Sequence, residues 1–229
     1  MAPIGPADAL GDHCEVARAL TIEIVRARHE RSAEAHEQSG SKHLLGFGSQ
    51  WRDLYDDTHE AFKARGYASH RLTPAGYRLP IVNGCLLIVW RVPARPNAID
   101  EFASSRSRRN GFFAQLPLEM FGDSFLEGGE GARDEVEQAH FEKLIRAARA
   151  IMPVVLVMVN STPRQLSSIE WAVAEYDSSH DKVRLQGAEV IWKPELVDTG
   201  VAADVESFDS GSPIAPSLAL QTQDRPADA

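Results

Sequence analysis

Negative charge is what the most apolar stretch of this chain lacks. From Leu79 to Val92 there is no Asp or Glu, and Arg91 is the only charged residue. General acid–base and divalent-metal chemistry draw on carboxylates, so a site built inside this stretch has little beyond Arg91 to work with. Cysteine is scarce too, with Cys14 and Cys85 alone in 229 residues. That excludes a disulfide framework and makes a reducing cytoplasm the expected compartment. No apolar run approaches the roughly 18 residues of a membrane span. The opening Met-Ala-Pro-Ile-Gly-Pro lacks the basic and apolar regions of a signal peptide. There is no Gly-x-Ser-x-Gly elbow, no His-Glu-x-x-His and no Cys-x-x-Cys, which removes the usual hydrolase, zinc-protease and zinc-finger readings.

What is present supports a sizeable core, since 43% of the residues are hydrophobic. The net charge of −9 is unevenly spread. Residues 198–229 hold six acids against Arg225, which accounts for −5 of it. This Ser-, Pro- and Asp-rich tail buries too little apolar surface to offset ordering entropy and is expected to be disordered. Residues 1–197 are then expected to form one domain. Their mild acidity does not advertise nucleic-acid binding, although a local basic patch is compatible with it.

Asn83-Gly84 sits between two apolar runs, a strong hairpin signal because a type I′ turn needs positive φ at both central residues. Cys85–Trp90 and Val154–Val159 are apolar throughout, as in strands covered on both faces, and are expected to be central neighbours. Pro80 places the 77–82 strand at an edge or a bulge, and residues 68–73 suggest an outer strand. Residues 169–176 and 183–192 read as a further hairpin. A first helix is expected over 13–38, opened by an Asp12–Glu15 capping box. Its periodicity fades after Val25, so its last third reads as a solvated extension or a partner contact. A second helix is expected at about 50–65, with Gly66 behind it and Ser49 as its N-cap. Asn97–Asp100 suggests a short helix. A third helix opens at Asp134–Glu137, and Thr162-Pro163 with Gln165 predicts a helical turn. The sum is an α/β or α+β domain with a mixed central sheet of about five strands and helices packed on it.

The order of helix, hairpin, helix and strand over roughly residues 50–160 resembles the core of the PD-(D/E)xK restriction-type nucleases. The resemblance implies an acid, then an acid-x-Lys, holding a divalent metal beside the scissile phosphate. Position by position these fall near Asn83 and on Val89-Trp90-Arg91, where only the positive charge survives. Glu60 matches the helix acid, and Mg²⁺ is the cofactor this resemblance implies. Asp56, His59 and Glu60 form the one other catalytic candidate, an acid/His/acid helix surface that ordinarily is a wet face.

Arg106, Arg108 and Arg109 lie among Ser104, Ser105 and Ser107. Guanidinium forks suit phosphate oxygens, but such a stretch also reads as a solvated basic loop. Phe112, Phe113, Met120, Phe121 and Phe125 follow without periodicity and need a cover, either this body or a partner. His29, His36 and His43 recur every seven residues, too far apart to share a metal on one helix, and read as a solvated stripe. Gly46-Phe-Gly48-Ser49 lacks both the third glycine of a dinucleotide fingerprint and the lysine of a P-loop. No metal ligands and no cofactor are expected outside the nuclease reading. Apolar residues at catalytic-type positions lead to a non-catalytic regulatory or accessory protein that binds a protein partner or itself. The alternative is an active or degenerate nuclease-like protein acting on nucleic acid.

Overall fold

The computed structural model describes residues 3–43, 47–49, 51–117 and 150–195. The chain divides into two compact units, Met1–Pro194 and Glu195–Ala229, and only the first is described beyond its opening residue. The expected third helix, the acidic tail, Met120, Phe121 and Phe125 lie outside the described residues.

The first unit is built on a mixed sheet of six strands, β1 (Ser69–Arg71), β2 (Arg78–Val82), β3 (Cys85–Arg91), β4 (Val154–Ser161), β5 (Leu166–Asp177) and β6 (Lys182–Trp192). Their spatial order follows the chain. The short β1 and the long β5–β6 hairpin make six strands where about five were expected. All neighbours are antiparallel except β3 and β4, which run parallel in register from Leu86–Val154 to Arg91–Val159. The two all-apolar runs are therefore the central pair. The tight turn forms as its residues require, with Asn83 at φ 49° and Gly84 at φ 72°. Asn83 Nδ2 also donates to Ala9 O at 3.0 Å, which docks the hairpin tip on the N-terminal segment. Pro80 is not on the edge strand; β2 is covered by β1. Ile81 N–H donates to Ala68 O on the β1 side, so the nitrogen of Pro80 faces β3. The β2–β3 ladder accordingly holds only Ile81–Leu86 and Val82–Cys85.

Alternation along the strands feeds two cores. Leu87, Val89, Val155, Val157, Val159 and Trp171 join the core under the helices. Those helices are α1 (Pro6–Leu10), α2 (Cys14–Gln38) and α3 (Leu54–Lys63). Leu86, Ile88, Trp90, Leu156, Met158 and Ala172 face the opposite way, onto Phe102, Phe112 and their neighbours. That second cover is a 3-10 turn, Asp100–Ser104, followed by helix α4 (Arg106–Gly111). The turn starts where the expected Asn97–Asp100 helix ends; Asn97 stands at φ 59°, outside helical geometry. An isolated bridge, Gln115–Ile151, and Met152 N–H to Ala114 O at 2.8 Å tie the two ends of the segment between them.

Helix α2 matches the expected span, but its opening does not follow the expectation. No side chain caps it: α1 and a 3-10 turn, Gly11–His13, lead straight in, so the Asp12–Glu15 box has no free helix end to serve. Its last third is largely solvated as expected, exposed or half-exposed from Ala33 to Gln38, but burial runs further than the apolar periodicity. Burial continues at helical spacing through Thr21, Ile24, Val25, His29 and Ser32, only with polar residues in place of apolar ones. Arg28 explains how this is held. Its Nε donates to Asp57 Oδ2 at 2.6 Å and its Nη1 to Asp53 Oδ2 at 3.1 Å, clamping α2 onto α3. At the far end of α3, Gly66 N–H donates to Lys63 O at 2.9 Å and Tyr67 N–H to Phe62 O at 3.2 Å, the paired bonds of a Schellman ending. Residues 47–49 are themselves helical, so Ser49 is no N-cap. Thr162 and Gln165 form a reverse turn between β4 and β5, with Thr162 N–H to Gln165 O at 2.8 Å, instead of a helical turn. Thr162 Oγ1 accepts from Gln165 N–H at 3.1 Å, so the residues expected to open a helix close a hairpin.

Candidate functional site

Ligands of open α/β sheets gather beyond the carboxyl ends of parallel strands, so the ends of β3 and β4 come first. Arg91 terminates β3, half-buried. Its Nε donates to Ser161 Oγ at 3.2 Å and its Nη2 to Ser161 O at 3.1 Å, both on β4. The guanidinium also lies 5.1 Å from the ring of Phe47. Phe47, wholly buried, is ringed by His29, His36 and Trp51, each with its ring centroid about 6 Å away. His29 Nε2 meets Thr162 O at 3.0 Å and, with that oxygen as acceptor, donates to it. The expected solvated histidine stripe holds at one of its three positions: His43 is exposed, whereas His29 and His36 help pin the β4–β5 turn and Phe47. Arg91 is a strut, turned inward and tied to its neighbouring strand. Burial pushes its guanidinium pKa down, and no carboxylate among the described residues pairs with it.

The other catalytic candidates do not join it. Asp56 and Glu60 are exposed, and Glu60 lines a shallow groove between α2 and α3 with Glu23, Arg31 and Asp57. His59 turns another way. Burial, first, and then Arg78 and Lys63 hold its pKa below the usual histidine value, and its Nδ1 is sealed without a partner among the described residues. One carboxylate near the strand ends was not singled out from the sequence. Glu170 on β5 accepts from Ser168 Oγ at 2.8 Å and Asn160 Nδ2 at 3.2 Å. It is committed to these two neighbours and lies on the sheet face opposite Arg91. Among the described residues no three His, Cys, Asp or Glu side chains gather as a metal site would need. Among the described residues, the positions that the nuclease resemblance assigns to a divalent metal do not come together: Asn83 is turned to Ala9, Val89 is in the core, and Glu60 is on an outer groove.

The basic stretch is where structure and expectation differ most. It is no loop. Residues 106–111 form α4, pinned by its polar residues to the β1–β2 connection: Asn110 Nδ2 donates to Thr73 O at 2.7 Å, and Ser107 Oγ accepts from Ala75 N–H at 3.2 Å. A helix separates its three arginines by about 100° per residue. Arg106 is exposed. Arg109 reaches Asp181 at 3.8 Å. Arg108 turns inward, its guanidinium carbon 5.0 Å from the Phe102 ring and 5.5 Å from the Trp90 ring. Its Nε is sealed from solvent without an acceptor, and among the described residues none of its nitrogens makes a hydrogen bond or ion pair. Burial is the main influence on its pKa, a downward one, opposed by Tyr55 and reinforced by Arg95. Tyr55 stacks on Tyr77 at 4.7 Å, and burial raises its phenol pKa to about 12.

The expected aromatic partner surface also divides. Phe112 is 8% exposed and belongs to the core, stacked on Tyr176 and edge-to-face with Phe102. Phe113 stays 54% exposed, edge-on to Tyr176. Among the described residues no helix is long and apolar enough to cross a membrane. No family model matches this sequence, and neither a curated protein nor a solved structure shows significant similarity to it.

Proposed function

We propose that this chain is a non-catalytic regulatory or accessory protein that works by binding a partner macromolecule. The observation that carries this reading is the carboxyl end of the parallel pair. Neither β3 nor β4 bears an acid, and the one charge there, Arg91, is turned into the protein by two hydrogen bonds to Ser161. Enzymes of this layered type use such strand ends for charged groups that reach substrate. Here the same place is used for packing. Binding surface is available elsewhere: exposed Phe113, and a guanidinium, Arg108, that has rings beside it and no acceptor among the described residues. Light scattering on the purified chain, a pull-down from its native host, and turnover assays on duplex and single-stranded DNA with Mg²⁺ or Mn²⁺ test the proposal together. Partner capture without turnover is the expected result. A strictly monomeric protein with no partner and measurable turnover overturns it.

The nuclease-like reading keeps one observation in its favour. Helix α3, the β2–β3 hairpin and a β4 parallel to β3 follow in the order that resemblance implies. Metal-dependent cleavage abolished by Glu60→Ala would raise it above the first reading.

A further inference from the structure

We infer that the outer face of α2 is the contact between two copies of this chain, with the two helices antiparallel about a two-fold axis that passes between Ile24 and Val25. The inference rests on the partner-binding reading above and names the partner. Helix α2 runs 25 residues, a rod about 37 Å long. Its inner face, from Ala17 through Ile24 and Val25 to Ser32, is buried in the body. The opposite face is exposed at Val16, Ala19, Glu23, Arg26 and Glu30 and half-buried at Ala33. Those positions step by three and four residues, the spacing of a helix–helix seam. Val16 is 48% exposed. A shallow groove along the face is lined by α2 residues alone, from Ala19 to Glu30, so no other described element closes it. The arginines of α2 that reach the body are tied to acids: Arg18 to Glu189, Arg28 to Asp53 and Asp57, Arg31 to Asp57. Arg26 has the ring of Trp192 at 5.8 Å. Among the described residues neither Arg26 nor Glu23 nor Glu30 makes an ion pair.

The order of charges along this face decides the occupant and its direction. Two such helices laid parallel in register set Glu23 on Glu23, Arg26 on Arg26 and Glu30 on Glu30, like against like. Laid antiparallel about the axis between Ile24 and Val25, Glu23 meets the second copy's Arg26, and Arg26 meets the second copy's Glu23. Both pairs fall at the centre of the seam. Val16 then meets Ala33, and Ile22, half-buried against the core, meets Ala27. Ala19 meets Glu30, whose methylenes can lie across it. Alanines on both sides let the helix axes approach to about 8 Å. Glu15 and Glu34 meet at the exposed rims, where salt screens their repulsion. Sliding one helix by a heptad loses this match. In one direction Arg26 keeps an acid, Glu30, but Ile22 falls on Glu34 and Ala19 on Glu37. In the other, Val16 falls on Arg26 and Ala19 on Glu23. A two-fold contact needs a patch that complements itself when reversed, and the face from Val16 to Ala33 does so in charge and in apolar contact together.

Light scattering on the full chain across a concentration series is the test. The wild-type chain should reach twice its monomer mass. Glu23→Arg and Arg26→Glu each turn both central pairs into like-charge contacts, and each should weaken the dimer by more than about tenfold. Mixed in equal amounts, the two variants face each other with opposite charges at both pairs, so a heterodimer should form within about threefold of the wild-type affinity. That recovery on mixing separates a contact between chains from any effect within one helix. Circular dichroism and an unchanged urea midpoint at monomeric dilution separate association from folding. A wild-type chain that stays monomeric overturns the inference. A dimer that neither reversal weakens sits on another surface and overturns it too. Reversals that weaken the dimer without recovery on mixing overturn the antiparallel register. A monomeric chain that captures a different protein sinks this inference and leaves the accessory reading standing, whereas turnover sinks that reading.

Discussion

Asn83 does two things at once, and they can be separated by substitution. Its φ of 49° is a conformation other L-residues adopt at a cost of about 1–2 kcal/mol, and its side chain holds Ala9 O at 3.0 Å. Asn83→Ala loses both and should lower unfolding free energy by about 2–3 kcal/mol in urea. Asn83→Gly keeps the backbone and loses the hydrogen bond alone, so about 1 kcal/mol is expected. Equal losses would show that the turn conformation carries none of the effect. Arg28 makes a similar case among charged groups. Its side chain is 12% exposed and grips Asp57 with two nitrogens, whereas Arg31, 59% exposed, reaches the same oxygen with one. Arg28→Met should cost about 1–3 kcal/mol and Arg31→Met less than about 0.5 kcal/mol. The reverse ranking would mean that the α2–α3 clamp is not where the stability lies.

At the level of elements, β6 meets the N-terminal segment at an approach only glycine permits. A Cβ on Gly187 would lie 2.5 Å from Gly5 Cα and 2.6 Å from Ile4 O, both backbone atoms. Gly187→Ala should therefore push the segment before α1 off the sheet, at about 1–3 kcal/mol. The Ala9 N–H, which donates to Gly5 O at 3.0 Å, reports this directly. Its hydrogen exchange should quicken in the variant while amides of β4 stay protected, and unchanged exchange at Ala9 would refute the packing argument. Elements whose cause is local were legible in the sequence: the Asn83-Gly84 turn, the two all-apolar strands, the Gly66 ending. Elements whose cause is distant were not. Burial along α2 runs on past Val25 through His29 and Ser32, so it continued for two turns where apolar periodicity had stopped. Helix α4 is Arg-Ser-Arg-Arg-Asn-Gly, a loop by composition, and it is held by Thr73 and Ala75 from more than thirty residues away. The Arg108 site needed Tyr55, Trp90 and Phe102 brought together by the sheet, so the sequence marked the arginines as a group without marking which of them turns inward.

For the molecule as a whole, the groups with displaced pKa values bound its stability on both sides of neutrality. His70 on β1 has a lowered pKa because burial opposes its charged form, and His59 is lowered by burial and then by Arg78 and Lys63. The folded state therefore binds fewer protons than the unfolded chain below the ordinary histidine value of 6.5. Stability supplied by these residues is complete above that pH and is lost as pH falls through their lower folded values. The alkaline side works through the opposite displacement. Burial raises Cys85 from 9.0 to about 11 and Tyr55 from 10.0 to about 12. Both groups keep their protons in the fold after the unfolded chain has released its own, so stability declines from about pH 9 upward, first through Cys85 and then through Tyr55. The urea midpoint should consequently be level between pH 7 and pH 9 and fall on either side. His70→Gln keeps a polar neutral side chain, and it should flatten the acid limb between pH 7 and pH 5 while leaving the alkaline limb in place. A wild-type midpoint that stays level down to pH 5 would mean that these histidines reach solvent as freely in the fold as in the unfolded chain.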